Sequence, residues 1–167
     1  MPRRTDVDAS LDPVLISGRI LNDLYNHALE ARPEECCGLI IGDADDRFQQ
    51  LVRCRNEMTK RHERDPVSYP RDGKEAFYMN EHDYLAAQEK AEQGGQQITA
   101  VYHSHVGAAA YLSATDLEYA ESALFPFPEA DHIVVSVLDR AVAGVGLFRR
   151  AATGSPFMGR SVQALVP

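Results

Sequence analysis

The chain has 167 residues, of which 44% are hydrophobic and 25% charged. This is the composition of one globular domain of ordinary size, and it excludes a disordered chain. The excess of 25 acidic over 17 basic residues gives a net charge of −8, which argues against a nucleic-acid partner. No apolar run approaches the roughly 18 residues of a membrane span, so we expect no membrane partner.

Three cysteines occur in the chain, at Cys36, Cys37 and Cys54. An odd count, together with an N-terminus that has no apolar core of a signal peptide, indicates a reducing compartment and predicts a cytoplasmic location. The adjacent pair has two interpretations, a thiol nucleophile or a buried pair at a strand edge. No Cys-His-Asn pattern of a catalytic cysteine is apparent, so the buried pair at a strand edge is favoured.

The first third of the chain predicts a strand, a helix and a hairpin. Residues 1–12 are polar and are expected to form a flexible tail, and residues 14–16 a short strand. An amphipathic helix, capped by Ser17 and ending before Pro33, is predicted from apolar residues on one helical face: Ile20, Leu21, Leu24 and Ala28. Residues 39–41 and 48–55 then predict two strands paired as a hairpin.

The middle of the chain begins with a charged segment that contains proline. Residues 56–73 show neither helical nor strand periodicity, which predicts a long surface loop, and residues 76–79 predict another strand. Asn80 and Asp83 are typical of a helix start, and the pair Gly94 and Gly95 of a helix end.

The rest of the chain predicts a strand up to Tyr102, a short helix from Ser113 to about Ser122, and a hairpin of residues 132–138 and 142–148. The order of these elements predicts one α/β (α+β) domain over residues 13–150, with a mixed sheet flanked by helices. Residues 151–167 carry no pattern and are expected to be a C-terminal tail.

The most informative segment is Val-Tyr-His-Ser-His, where His103 and His105 leave the end of a predicted strand. Alternate residues of a strand point to one face, so both imidazoles lie on the same side. Asp116 follows eleven residues after His105, in the first turn of a predicted helix. Two histidine nitrogens and one carboxylate with a vacant fourth position are typical of a catalytic zinc site.

Simpler interpretations of each signal remain open. Ser113 and Asp116 have the spacing of a capping box, which is common at helix starts, although Ser113 can cap the helix while Asp116 binds a metal. His27, His62 and His82 are interpreted as surface residues, and another histidine, His132, as a core residue with satisfied hydrogen bonds.

The pattern H-S-H-x(7)-S-x(2)-D, preceded by P-x-E-x-C-G-L at residues 33–39, resembles the JAMM (MPN+) zinc metallopeptidase family. The resemblance covers residues 16–148 and implies that family's architecture, a curved mixed sheet between helices of the cytidine-deaminase-like type. Members include deubiquitinating isopeptidases and prokaryotic peptidases that act on ubiquitin-like and sulfur-carrier proteins. The resemblance implies one Zn²⁺ per chain and, as partner, a ubiquitin-like or sulfur-carrier protein ending in Gly-Gly.

The resemblance also assigns the site residues. His103, His105 and Asp116 are implied as metal ligands, with water at the fourth position, Glu35 as general base and Ser113 as a donor to the oxyanion. Glu34 is the alternative base, but it lies one residue too far from the glycine of the motif. Ser104 faces away and is interpreted as structural.

This sequence departs from the family pattern at one point, because Val106 and a run of small residues replace the usual proline after His105. The path of that loop is therefore open. Three functions are carried forward: a zinc peptidase or isopeptidase acting at a Gly-Gly terminus, a non-catalytic scaffold of the same fold, and a zinc peptidase with an unrelated substrate. Oligomeric state cannot be read from the sequence.

Overall fold

The computed structural model describes residues 3–166, which form seven strands and four helices. In chain order these are β1 (Val14–Ser17), α1 (Gly18–Glu30), β2 (Cys37–Gly42), β3 (Gln50–Cys54), α2 (Met58–Arg64), α3 (Glu81–Gln93), β4 (Gln97–Val106), α4 (Ala114–Glu121), β5 (Asp131–Leu138), β6 (Ala141–Arg149) and β7 (Met158–Leu165). No helix in this described part has the length and apolarity that crossing a bilayer requires.

All seven strands belong to one sheet in the order β1-β7-β6-β5-β4-β2-β3. The pairs β1/β7 and β4/β5 are parallel and the other pairs are antiparallel. The predicted mixed sheet in a single α/β (α+β) domain is thus confirmed. Strand β4 lies inside the sheet between β2 and β5, so its end is fixed from both sides.

The two faces of the sheet carry separate apolar cores. On one face, α1 packs its buried residues Ile20 and Leu24 against Tyr102 of β4. On the other, Ala87 of α3 packs with Val101 of β4. Successive residues of a strand point to opposite faces, so β4 supplies side chains to both cores and is buried almost throughout.

The predicted helix caps are present. The side chain of Ser17 accepts a hydrogen bond from the backbone N–H of Ile20 at the start of α1, and Asn80 does the same for Asp83 at the start of α3. The predicted hairpins β2/β3 and β5/β6 are both formed.

The described residues of both predicted tails, 3–12 and 151–166, are part of the fold, and residues 1, 2 and 167 lie outside the described residues. The N-terminal segment pairs with the body of the domain, since Thr5 and Leu112 exchange two backbone hydrogen bonds of 2.9 Å and Val7 pairs with Gly159. The segment after residue 150 contains β7, which lies between β6 and β1. The sequence prediction was wrong here because neither segment has enough periodicity to reveal a distant strand partner.

Further predictions need correction. His132 is buried as expected for a core residue, but its Nε2 has no hydrogen-bond partner among the described residues. The segment 56–73 is not a continuous loop, because α2 forms at its start. Residues 76–79 form no strand and contribute a single bridge, between Met79 and Asn56. His27 is not a surface residue, because it is half-buried and its Nδ1 lies 2.7 Å from the hydroxyl oxygen of Tyr102.

Candidate metal centre

The end of β4 presents two histidines to one side of the sheet. His103 and His105 are 2% and 7% exposed, and their Nε2 atoms are 3.2 Å apart. Ser104, between them, faces the other way, and its hydroxyl oxygen accepts a hydrogen bond of 2.8 Å from the backbone N–H of Cys36. Its predicted structural interpretation agrees with this contact.

The start of α4 supplies a carboxylate to the same place. The Ser113 hydroxyl oxygen accepts a hydrogen bond from the backbone N–H of Asp116, and the Asp116 carboxylate accepts one from the backbone N–H of Ser113. This capping box fixes the Asp116 side chain in the first turn. Asp116 therefore caps the helix and faces the histidines at the same time.

The three side chains converge at distances suited to one metal ion. Asp116 Oδ2 lies 3.2 Å from His105 Nε2, and Asp116 Oδ1 lies 3.3 Å from His103 Nε2. Tetrahedral zinc, with ligand bonds of roughly 2.0–2.2 Å, holds its ligand atoms about 3.3 Å apart. The separation of the two Nε2 atoms and the distance from each to an Asp116 oxygen are both close to this value, so the three side chains are compatible with a zinc site.

Hydrogen bonding places His105 in the tautomer that binds metals. Its Nδ1 lies 2.9 Å from the carbonyl oxygen of Ala109, and a carbonyl only accepts, so Nδ1 carries the hydrogen. In the neutral ring, Nε2 then directs its lone pair toward the Asp116 carboxylate. Two acceptors facing each other repel unless a proton or a metal cation lies between them, and a metal ion is one group that meets this requirement.

The electrostatics of the cluster also demand positive charge. Burial alone would raise the pKa of the Asp116 carboxyl, but His103 and His105 hold it well below its usual range. Burial lowers the pKa of His105, and the hydrogen bond and charge of Asp116 outweigh this effect and raise it. The negative charge of the Asp116 carboxylate is balanced either by a proton on an imidazole or by a bound metal cation.

Glu35 enters from the neighbouring strand. Cys37 pairs with His103 in the β2/β4 register, and continuing that register places Glu35 opposite His105, on the same face of the sheet. Glu35 is 6% exposed, and burial raises the pKa of its carboxyl to about 8.

Glu34 points elsewhere. Its carboxylate accepts a hydrogen bond from the hydroxyl of Thr59, and it does not line the cleft that contains the metal-site residues. Of the two glutamates considered from the sequence, the structure brings only Glu35 to the candidate metal centre.

Aromatic side chains that the sequence analysis missed pack on both histidines. The ring of Phe77 stacks on His103 with 4.7 Å between centroids. The ring of Tyr111 packs edge-on against His105 at 5.0 Å and carries the Arg4 guanidinium 4.3 Å above its centre. Phe77 is distant from His103 in the sequence, and Tyr111 lies in an irregular loop shortly after His105, so no periodic pattern marks either residue.

A cleft of about 610 Å³ opens over the site, and Glu35, His105, Ser113 and Asp116 line it. One wall is apolar and includes Phe77, Tyr84, Tyr119, Leu124 and Pro126. Ligand sites are typically concave and mostly apolar with a few convergent polar groups. The cleft therefore has room for an extended peptide beside the candidate ligands.

The cysteines take no part in this site. Cys36, Cys37 and Cys54 are buried free thiols. Burial raises the pKa of Cys36 to about 12 and that of Cys37 well above its usual value. Since the thiolate is the nucleophile, these residues are inert, which agrees with the favoured interpretation.

Comparison with known proteins identifies relatives over most of the chain. The profile of a family described as prokaryotic homologues of the JAB domain matches residues 17–150, which confirms the resemblance drawn from the sequence motif. Proteins named CysO-cysteine peptidase from Mycobacterium tuberculosis and Mycobacterium bovis are 28% identical over 127 residues, covering 75% of this chain and 75% of theirs.

Solved structures share the fold. A protein from Salinibacter ruber is 28% identical and superposes with a TM-score of 0.62 over 92% of this chain and 93% of its own. A protein from Desulfitobacterium hafniense gives a TM-score of 0.63 at 19% identity, covering 92% and 94%. A JAB1/MPN domain protein from Archaeoglobus fulgidus gives 0.51 at 15% identity, covering 92% and 100%.

Proposed function

The chain belongs to the family of prokaryotic homologues of the JAB domain, and on that basis we propose that it is a zinc-dependent peptidase. Its substrate is the amide bond that follows the C-terminal Gly-Gly of a ubiquitin-like or sulfur-carrier protein. The observation that carries the proposal is the convergence of His103, His105 and Asp116 at 3.2–3.3 Å.

His103, His105 and Asp116 are the residues that would hold the ion. Bound zinc supplies a water of pKa near 7 and polarises a carbonyl. Glu35 accepts a proton from water as the new C–O bond forms, and gives it to the leaving nitrogen as the C–N bond breaks. Its buried position keeps the pKa of the carboxyl near the working range for both transfers.

Ser113 stabilises the oxyanion. Its hydroxyl oxygen already accepts the hydrogen bond from the N–H of Asp116, so the hydroxyl hydrogen is available for donation into the cleft. A donor held by a helix cap needs no reorganisation during the reaction, and such donors contribute roughly 10²–10³ to the rate.

The choice of substrate is supported by the cleft and by the relatives. The relatives that match 75% of the chain are named as peptidases of CysO-cysteine, which favours a carrier protein with an amino acid joined to its end. The cleft is lined by Met58 and Arg71 of the segment 56–73 and by residues 74–79. An extended Gly-Gly tail carries only hydrogen in place of side chains, so it can pass close to the ring of Phe77.

Two alternative functions receive less support. A non-catalytic scaffold of this fold has no need of a metal-ligand set, whereas all three ligand residues converge here. A zinc peptidase with an unrelated peptide substrate keeps the same chemistry and differs only in what fills the cleft.

The free thiols fit the predicted cytoplasmic location, which has a reducing environment.

The test is zinc analysis combined with hydrolysis of a ubiquitin-like fusion. We expect one zinc per chain, loss of cleavage with a chelator and recovery on adding zinc. Glu35→Gln retains zinc and loses at least 10²-fold in kcat, since it cannot transfer the proton. Glu34→Gln is the matched control and keeps activity. Absence of zinc, together with unchanged cleavage by Glu35→Gln, would overturn the mechanism.

A further inference from the structure

Two cations line the catalytic cleft without a carboxylate partner. Arg71 and Lys74 both border it, and within residues 3–166 neither forms a salt bridge. Six other arginines of this acidic chain do pair with Asp or Glu: Arg3, Arg4, Arg47, Arg53, Arg55 and Arg149. A cation left without a partner beside a reaction centre is available to a substrate anion.

Arg71 is fixed close to the reacting groups. Its Nη1 donates a hydrogen bond of 3.2 Å to the hydroxyl oxygen of Thr115, which immediately precedes Asp116. The charge of Arg71 also acts on Glu35, where it opposes the effect of burial on the pKa. The guanidinium therefore lies near both the metal ligand and the group that protonates the leaving nitrogen.

Arg71 is not the only charged residue near Glu35, because the charge of Glu75 acts on the pKa of the same carboxyl in the opposite direction. Glu75 and Glu81 line the same cleft, so the cleft as a whole does not attract anions. Binding of an anion here requires direct contact with the guanidinium, which has further N–H donors besides the one bonded to Thr115 and matches a carboxylate in a two-point geometry.

Only one class of substrate carries a carboxylate close to the scissile nitrogen. When the leaving group is a single amino acid, its α-carboxylate is two bonds from the scissile nitrogen. In a longer peptide this position is an uncharged amide, and in an isopeptide the scissile nitrogen sits on a lysine side chain. A cation beside the leaving nitrogen therefore distinguishes the first class from the other two.

We propose that Arg71, with Lys74 also lining the cleft, binds the α-carboxylate of the leaving group, so that the preferred substrate is a carrier protein extended by one amino acid. This inference rests on the proposed function. Water adds its oxygen to the carbonyl of the last glycine, the C–N bond breaks, and the amine takes its proton from Glu35. The products are the carrier with a free Gly-Gly carboxylate and a free amino acid held at Arg71.

The test compares three probes built on ubiquitin with the zinc-loaded full chain. One probe ends in Gly-Gly-Ala with a free carboxylate, one in Gly-Gly-Ala-amide, and one joins Gly-Gly to the Nε of a lysine peptide. Alanine is used because a cysteine thiolate would itself bind zinc. We expect kcat/KM for the free acid to exceed that for the amide and the isopeptide by at least about tenfold.

The Arg71→Ala variant should lower kcat/KM for the free acid by about 10- to 100-fold, mainly through KM, and bring the acid-to-amide ratio toward one. Arg71→Lys should recover part of the ratio. Arg64→Ala, at an exposed arginine of α2 outside the cleft, is the control and should keep it. Zinc content and circular dichroism of each variant exclude loss of the fold as the cause.

The outcomes separate this inference from the proposed function. Equal cleavage of acid and amide, a preference for the isopeptide, or a ratio that Arg71→Ala leaves unchanged would overturn the carboxylate contact while the zinc peptidase stands. Failure of the zinc-loaded chain to cleave any of the three probes would overturn both.

Discussion

The ring of Phe77 lies stacked on the imidazole of His103, with 4.7 Å between centroids and 28° between planes. Phe77 is itself held edge-on by Tyr119 of α4, at 5.4 Å. The imidazole is thus clamped in the orientation that directs Nε2 toward His105 and Asp116. Residues that orient metal ligands tune the affinity for the metal.

Phe77→Ala is therefore expected to weaken zinc binding roughly 10- to 100-fold, the usual effect of losing an orienting neighbour. Phe77→Tyr keeps the stacked ring and should bind zinc as the parent does. Titration against a chelator of known affinity measures the difference. If Phe77→Ala and Phe77→Tyr bind zinc equally, the stacking has no role in the site.

Tyr111 connects the N-terminal segment to the second histidine. Its ring packs on His105 at 5.0 Å and lies beneath the guanidinium of Arg4, while the neighbouring Leu112 pairs with Thr5. Tyr111 belongs to the loop after His105 where the usual proline of the family is replaced. Contacts from residues 4 and 5 hold that loop in place.

Tyr111→Ala should weaken zinc binding roughly 2- to 10-fold, the factor that corresponds to an aromatic pair of about 0.5–1.5 kcal/mol. Tyr111→Phe retains the ring contacts and should show no loss, because the hydroxyl is not part of the packing. The same chelator titration gives the result. An equal loss in both variants would point to the hydroxyl and contradict the packing argument.

The features of this molecule that could be predicted are those that depend on residues close together in the sequence. Ser17, Asn80 and Ser113 each mark a helix start three residues before the N–H that they cap. His103 and His105 share a face because a strand has a period of two. These signals act over a few residues, so one sequence is enough to read them.

The parts that were missed depend on contacts between distant residues. Strand β7 has no sustained alternation of apolar and polar residues, and it forms where β6 and β1 flank it. Phe77 meets His103 across 26 positions, and Arg71 meets Thr115 across 44. No periodicity or capping pattern specifies such pairs. The position of Phe77 beside His103 and the location of Arg71 at the cleft are therefore apparent only in the folded chain.

Ser113 has two roles that a pair of variants can separate. Ser113→Ala removes the cap of α4 and should lower the free energy of unfolding by about 1 kcal/mol. It also removes the donor to the oxyanion, which should lower kcat by roughly 10²–10³ while zinc stays bound. Ser113→Thr keeps the hydroxyl and should preserve most of both properties. A loss of stability with unchanged kcat would leave Ser113 with the capping role alone.

A pH-dependent loss of stability is expected from a histidine far from the metal centre. Burial, assisted by the charge of Arg53, lowers the pKa of His27 to about 4, compared with about 6.5 in an unfolded chain. A histidine with a depressed pKa contributes stability above the unfolded value, and this contribution is lost as pH falls from about 6.5 toward 4.

The contribution of His27 lost between pH 7.5 and pH 5 should be about 1 to 2 kcal/mol, after reduction for the part of the ring that water reaches. His27→Gln has no ionising ring, so its free energy of unfolding should fall less over this range by that amount. His82→Gln, at an exposed histidine of α3, is the matched control and should follow the parent. Urea unfolding of all three proteins, each treated with chelator so that the metal site contributes equally, gives the measurement. Parallel curves for the parent and His27→Gln would show that His27 is protonated in the folded protein as readily as in the unfolded chain.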